Sequence, residues 1–95
     1  MASSKIAEYL DRKLVSLEKK VEQKLDSDER KRFSQSRERW QVYRRKEVDF
    51  VAAFFEGGSI LPLMANQHYS EITQHRVDEL ESLFYVALER RIDQP

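Results

Sequence analysis

Apolar side chains recur along the first part of the chain at Ile6, Leu10, Leu14, Leu17, Val21 and Leu25, separated by four, four, three, four and four residues. That spacing keeps them on one side of an α-helix and does not fit the alternation of a strand. The helix runs for about 22 residues, near 33 Å at 1.5 Å per residue. It is expected to begin after Ser3 or Ser4, either of which can accept from the free amides of an opening turn. The positions between are mostly Lys, Glu, Arg, Asp and Gln, so the stripe is narrow and the helix should lie along a seam between others.

At Leu25-Asp26-Ser27-Asp28-Glu29 the pattern stops and restarts. Asp26 and Glu29 have the spacing of a capping box, and Asp28 and Glu29 complement the dipole of a new helix. A connection this short makes the first two helices antiparallel neighbours. The second helix is expected over 28–56, about 43 Å, with Phe33, Arg37, Trp40, Tyr43 or Arg44, Glu47, Phe50 or Val51, and Phe54 facing inward. Its character changes partway: before Glu47 it is charged with scattered aromatics, whereas 48–55 is apolar except at Asp49. An apolar run of that width implies burial on most sides or exposure for a purpose.

Both glycines stand side by side at Glu56-Gly57-Gly58-Ser59. Ser59 can cap a third helix, and Pro62 falls in its first turn, where a missing amide costs little. Its inward stripe is Leu61, Met64 or Ala65, His68 or Tyr69, Ile72, Arg76, Glu79 or Leu80, Leu83 and Ala87. The weakest helical section is Asn66-Gln67-His68, where a break would give a fourth helix from Tyr69 to Arg91. Residues 92–95 should fray. The fold expected is all-α: three long antiparallel helices, or four with that break, forming one helical hairpin bundle over 1–95.

Residues equally far from the glycine turn should lie at equal heights if the second and third helices fold directly back on each other. This places Val48 beside His68, Tyr43 beside Thr73, Trp40 beside Arg76 and Phe33 beside Leu83. Trp40 with Arg76 would form a cation–π contact. Glu47 among Arg44, Thr73 and Arg76 reads as a paired polar layer within the bundle, since a buried charge needs partners. The same counting from the first turn puts Val21 near Phe33, Leu14 near Trp40 and Ile6 near Glu47 and Val48. The first helix would then end where the apolar run begins, leaving about eight residues of each longer helix, on the order of 12 Å, projecting past it. The projecting tip would carry Phe50, Val51, Phe54, Phe55, Gly57, Gly58, Ser59, Ile60, Leu61, Leu63 and Met64.

The sequence has 40% hydrophobic and 36% charged residues with only two glycines and two prolines, which suits amphipathic helices rather than a many-turned sheet. Seventeen basic and seventeen acidic residues cancel, so no global field demands a nucleic acid or membrane partner. The charges are uneven: residues 30–46 hold eight bases and one acid, and 71–93 hold six acids and three arginines. The simplest consequence is two helices whose exposed faces attract. The absence of cysteine excludes a disulfide framework, a thiolate metal site and a cysteine nucleophile. No stretch approaches the roughly 18 to 20 apolar residues of a membrane span, and Met1-Ala2-Ser3-Ser4-Lys5 lacks an apolar signal core. The chain as written reads as cytoplasmic; the periplasm or cell envelope is the alternative if it is a mature fragment with an added Met1.

The order and spacing of Trp40-x-x-Tyr43-Arg44, Glu47-Val48-Asp49-Phe50, Glu56-Gly57-Gly58-Ser59, Pro62 and Glu71-Ile72-Thr73-x-x-Arg76-x-x-Glu79-Leu80 resemble the LprI-type lysozyme-inhibitor family of bacterial helical domains. The resemblance covers about residues 10–84. It implies a noncatalytic inhibitor or binding protein whose target is a lysozyme-type muramidase. It also implies a cysteine-less variant, because the family usually carries cysteines at the positions of Val48 and His68. The resemblance transfers no inhibitory residue; Trp40, Tyr43, Arg44, Glu47, Val48, His68, Thr73 and Arg76 read as its structural motif.

No catalytic residue, cofactor or metal is expected. His68 and His75 are seven apart, about 10 Å along a helix, with Glu71 between them, too far for both rings to reach one ion. The carboxylates form no convergent pair, and the serines fall at caps or on exposed faces. The expected partner is a protein, engaged through Phe50, Phe54, Phe55, Gly57, Gly58, Ser59, Ile60, Leu61 and Leu63, or a second copy joined through the same tip as a structural module. Nucleic-acid binding by Arg30, Lys31, Arg37, Arg39, Arg45 and Lys46 is a weaker alternative, because stacking needs exposed aromatics and Trp40 and Tyr43 fall on the expected core side.

Overall fold

The computed structural model describes residues 2–54, 57 and 61–89, with side chains described at 5–54 and 62–89. Three helices, α1 (Ala2–Gln23), α2 (Ser27–Phe54) and α3 (Leu61–Leu83), pack as an all-helical bundle, and a π-helical segment, Phe84–Leu88, continues α3. Of the two alternatives the three-helix one holds: α3 runs without a break through Asn66-His68. Packing of Ile72, Thr73 and Val77 on both neighbouring helices holds α3 continuous through that polar stretch. The start of α1 is also earlier than expected, at Ala2, so Ser3 and Ser4 lie inside the first turn.

The first connection forms as its sequence dictates. Asp26 Oδ1 accepts from the Glu29 amide at 2.8 Å, and Glu29 Oε1 accepts from the Asp26 amide at 3.0 Å, a reciprocal capping box. Arg30 Nε donates to the Glu22 carbonyl at 2.9 Å, satisfying one of the orphan acceptors at the end of α1. At the second connection Gly57 has φ of +82°, a left-handed conformation that glycine adopts without steric cost. Phe55, Glu56, Gly58, Ser59 and Ile60, and the side chain of Leu61, lie outside the described residues, as do 90–95 with the fraying expected there.

Contacts fix the directions. Glu22 meets Arg37 and Asp11 meets Arg44, so α1 and α2 are antiparallel. Arg44 meets Thr73 and Arg76 meets Ser36, so α2 and α3 are antiparallel too. Asp11 meets Tyr69 and Lys13 meets Glu81, which makes α1 and α3 parallel. The backbone of α3 approaches both other helices more closely than they approach each other. The third helix is therefore the central one, and α1 and α2 join chiefly through the first turn and long side chains. The result is elongated, 58 × 24 × 16 Å, with a radius of gyration of 15.9 Å against about 12 Å for a compact chain of this length.

The hydrophobic core is concentrated at the end carrying the first turn. Leu14, Leu17 and Val21 of α1 meet Phe33 of α2 and Val77, Leu80, Phe84 and Leu88 of the third helix and its extension, with Leu25 and Trp40 packed against them. The stripe of α1 buries as expected from Leu10 to Val21, but Ile6 is exposed. On α2 the inward members of the two open pairs are Arg44 and Val51, with Tyr43 and Phe50 exposed, and Phe54 faces solvent instead of the interior, because α2 is covered along one side only. At the end of α3 the inward residues are Phe84 and Leu88, not Leu83 and Ala87. The row Thr73, Val77, Leu80 continues at spacings of four and four, one residue out of step with the row extrapolated from Ile72 and Arg76. In the π-helical segment the Glu89 amide donates to the Phe84 carbonyl, five residues back.

Candidate protein-binding surface

Above the core lies a layer built around Arg44. Its guanidinium carbon sits 4.5 Å from the ring centroid of Trp40 and 4.2 Å from that of Tyr69, so two aromatic faces flank one cation. Nη1 donates to Asp11 Oδ1 and to Thr73 Oγ1, each at 3.0 Å. The Thr73 hydroxyl in turn donates a hydrogen bond to the Tyr69 carbonyl at 2.8 Å, and the Tyr69 hydroxyl donates to Asp11 Oδ2 at 2.6 Å. Burial, reinforced by the hydrogen bond to Asp11, pushes the Tyr69 hydroxyl up to about 12. The layer ties all three helices together, and two of its members, Asp11 and Thr73, fall outside the expected inward rows.

Arg76 Cζ lies 5.9 Å from the Trp40 ring centroid, as the height comparison expects. Beside Thr73 the comparison expects Tyr43, but the contact is made by Arg44, one residue on. Glu47 does not join this layer either: it faces His68 Nε2 at 3.7 Å, and the acid of the layer is Asp11. Glu18 provides a second inward acid, only 7% exposed. Burial raises its carboxyl above the ordinary range, against the pull of Arg37, Arg76 and Arg44 and with a push from Glu22. The signal for both acids was present in α1, where Asp11 and Glu18 stand seven apart, each next to a stripe leucine.

At the opposite end from the core, apolar side chains reach solvent. Phe50 is 66%, Phe54 73%, Leu63 55% and Ile6 54% exposed. Val48, Val51 and Ala52 are half-buried, so the apolar run of α2 divides into a covered and an open side. Ile6 and Leu10 line an open apolar groove of about 470 Å³ with Leu63, Gln67 and Ser70. This corrects the expected projection: α1 reaches the level of Leu63 rather than stopping beside Glu47 and Val48. The height count assumed that α1 lies straight along α2, whereas it packs in parallel on α3 and is displaced toward the tip.

The other candidate groups are placed as follows. His68 Nε2 lies 3.7 Å from Glu47 Oε2, too far for a hydrogen bond and without another partner among the described residues, whereas His75 Nδ1 lies 2.9 Å from Glu79 Oε1. Among the described residues no three metal-ligating side chains converge. On the basic face Arg37 Nη1 reaches Glu22 at 3.3 Å, while Lys31, Arg39, Arg45 and Lys46 are exposed. The Trp40 ring is engaged by two guanidiniums, and only Tyr43 of the interleaved aromatics is open. No described helix is long and apolar enough to cross a membrane.

The described residues form an asymmetric helical bundle, with its hydrophobic core toward one end and exposed Phe50, Phe54, Leu63 and Ile6 toward the other. The sequence profile described as lysozyme inhibitor LprI matches residues 2–80, and the chain belongs to that family. It is a member without cysteines. No curated protein and no solved structure matches the chain.

Proposed function

We propose that this protein is a noncatalytic inhibitor or masking protein whose target is a lysozyme-type muramidase, and that the apolar end is where the two meet. Family membership supports the class of function. The observation that carries the site is the placing of exposed Phe50, Phe54, Leu63 and Ile6 at the end of the bundle farthest from its core. Ile6 and Leu63 line one groove, and Phe50 and Phe54 stand four apart on one face of α2; exposed apolar side chains grouped in this way mark a contact region. Gly57, with its left-handed backbone, gives the chain between Phe54 and Leu63 the freedom to approach a cleft closely.

Purified protein titrated into a muramidase acting on cell-wall suspensions tests both parts. Slowed turnover by the wild type, relieved by the paired substitution Phe50→Glu and Leu63→Glu, is the expected result. No inhibition and no binding in a pull-down rules out this target. A molecular mass that rises with concentration, and is restored to the monomer by the same pair, would assign the apolar end to self-association instead.

A further inference from the structure

A second groove, of about 440 Å³, lies between α1 and the π-helical segment, lined by Tyr9, Arg12, Lys13, Lys20, Glu81 and Tyr85 among others. Tyr85 is 22 residues beyond Leu63, about 33 Å along the helix, so this groove is separate from the apolar end. On α1 the residues fall at 9, 12, 13 and 20, a row about 16 Å long on one flank. Three cations face one acid. The Glu81 carboxylate already sits 3.2 Å from Lys13 Nζ, and Asp78 adds a weaker attraction for the same lysine. Arg12 and Lys20 make no ion pair or hydrogen bond among the described residues.

The walls are two tyrosines, each more than half exposed. Tyr85 lies edge-on against the buried Phe84 ring, with centroids 5.1 Å apart and planes at 88°. It belongs to the π-helical segment, and such irregular turns occur frequently at functional sites. We propose that this groove docks a short acidic peptide segment of a partner protein: carboxylates on Arg12 and Lys20, and an aromatic or apolar residue between Tyr9 and Tyr85. Glu81 on Lys13 is the internal version of the same contact. The occupant is short because Glu81 within the groove and Asp78 beside Lys13 repel a longer polyanion, and the net charge of the protein is zero.

The probe is a fluorescein-labelled peptide with one aromatic residue between two pairs of glutamates, followed by anisotropy at low ionic strength and by amide chemical shifts. Shifts confined to 9–20 and 81–89 are expected. Affinity should fall about tenfold in the Arg12→Glu, Lys20→Glu pair and in Tyr85→Ala, with helical circular dichroism retained. Removing the internal competitor in Glu81→Gln should tighten binding about threefold. Absence of binding, equal affinity in the charge-reversed pair, or shifts at the apolar end overturns the proposal. So does a single-stranded oligonucleotide of matched charge that binds more tightly than the peptide, which would make the groove a nucleic-acid contact.

Discussion

Arg44 and Tyr69 share one carboxylate: Asp11 takes the guanidinium on Oδ1 and the phenol on Oδ2, while the guanidinium lies 4.2 Å from the ring centroid of that same tyrosine. A closed triangle of this kind, with one member from each helix, couples the helices where the hydrophobic core no longer reaches. A double-mutant cycle on Asp11→Ala and Arg44→Ala should therefore show a coupling of about 1–2 kcal/mol by urea unfolding. Arg44→Lys should not rescue, because an ammonium cannot lie flat between two rings. Additive single losses would show that the triangle is not cooperative.

The phenol of Tyr69 gives the layer an alkaline limit. Its proton is held more tightly in the folded state, up to about 12 from an ordinary 10.0, so the stability it contributes is complete below pH 10 and lost as pH rises from there toward 12. Tyr69→Phe should cost about 1 kcal/mol at neutral pH and unfold with a flatter alkaline limb. Absorbance titration of the phenolates should lose its latest component in the same variant.

Glu18 works in the opposite direction. Its carboxyl is raised by burial, and Oε2 has no hydrogen-bond partner among the described residues. The folded state therefore favours the protonated form, and the stability conferred by that preference is present below the ordinary carboxylate range, near 4.5, and lost as pH rises through the raised value. Glu18→Gln should gain on the wild type over that window and hold a constant difference above it. Parallel unfolding midpoints from acid to neutral pH would contradict this.

The sequence made the helices legible because Leu10, Leu14, Leu17 and Val21 repeat with helical spacing and because Asp26 and Glu29 announce the turn between α1 and α2. Counting residues from the glycine turn also found Trp40 beside Arg76. Inter-helix geometry was less legible. A capping box says that α1 turns back but not which later helix it lies against, and α1 chose α3. That choice brought Asp11 and Glu18 inward; their seven-residue spacing beside Leu10 and Leu17 was the mark that set them apart from the other charges of α1. The same choice carried Ile6 to the level of Leu63. For the surface, composition signalled an unusual apolar run at 48–55; which side of it faces out depends on packing that no single helix encodes.

The two ends of the bundle should respond differently to substitution. Phe84→Ala removes a buried ring from the core and should cost about 3–5 kcal/mol. Phe50→Glu or Leu63→Glu, at exposed positions, should change stability by no more than about 0.5 kcal/mol. Thermal unfolding of the three variants makes the comparison. A large loss in either tip variant would place those residues in the core and remove them from any contact surface.

The proposed contact at the apolar end is tested most directly by mapping it. Amide chemical shifts of the labelled protein, recorded as a lysozyme-type muramidase is added, should change over 48–67 and around Ile6. They should stay unchanged at Leu17, Phe33 and Leu80. An unperturbed spectrum would contradict the choice of target, and changes centred on the core end would contradict the site.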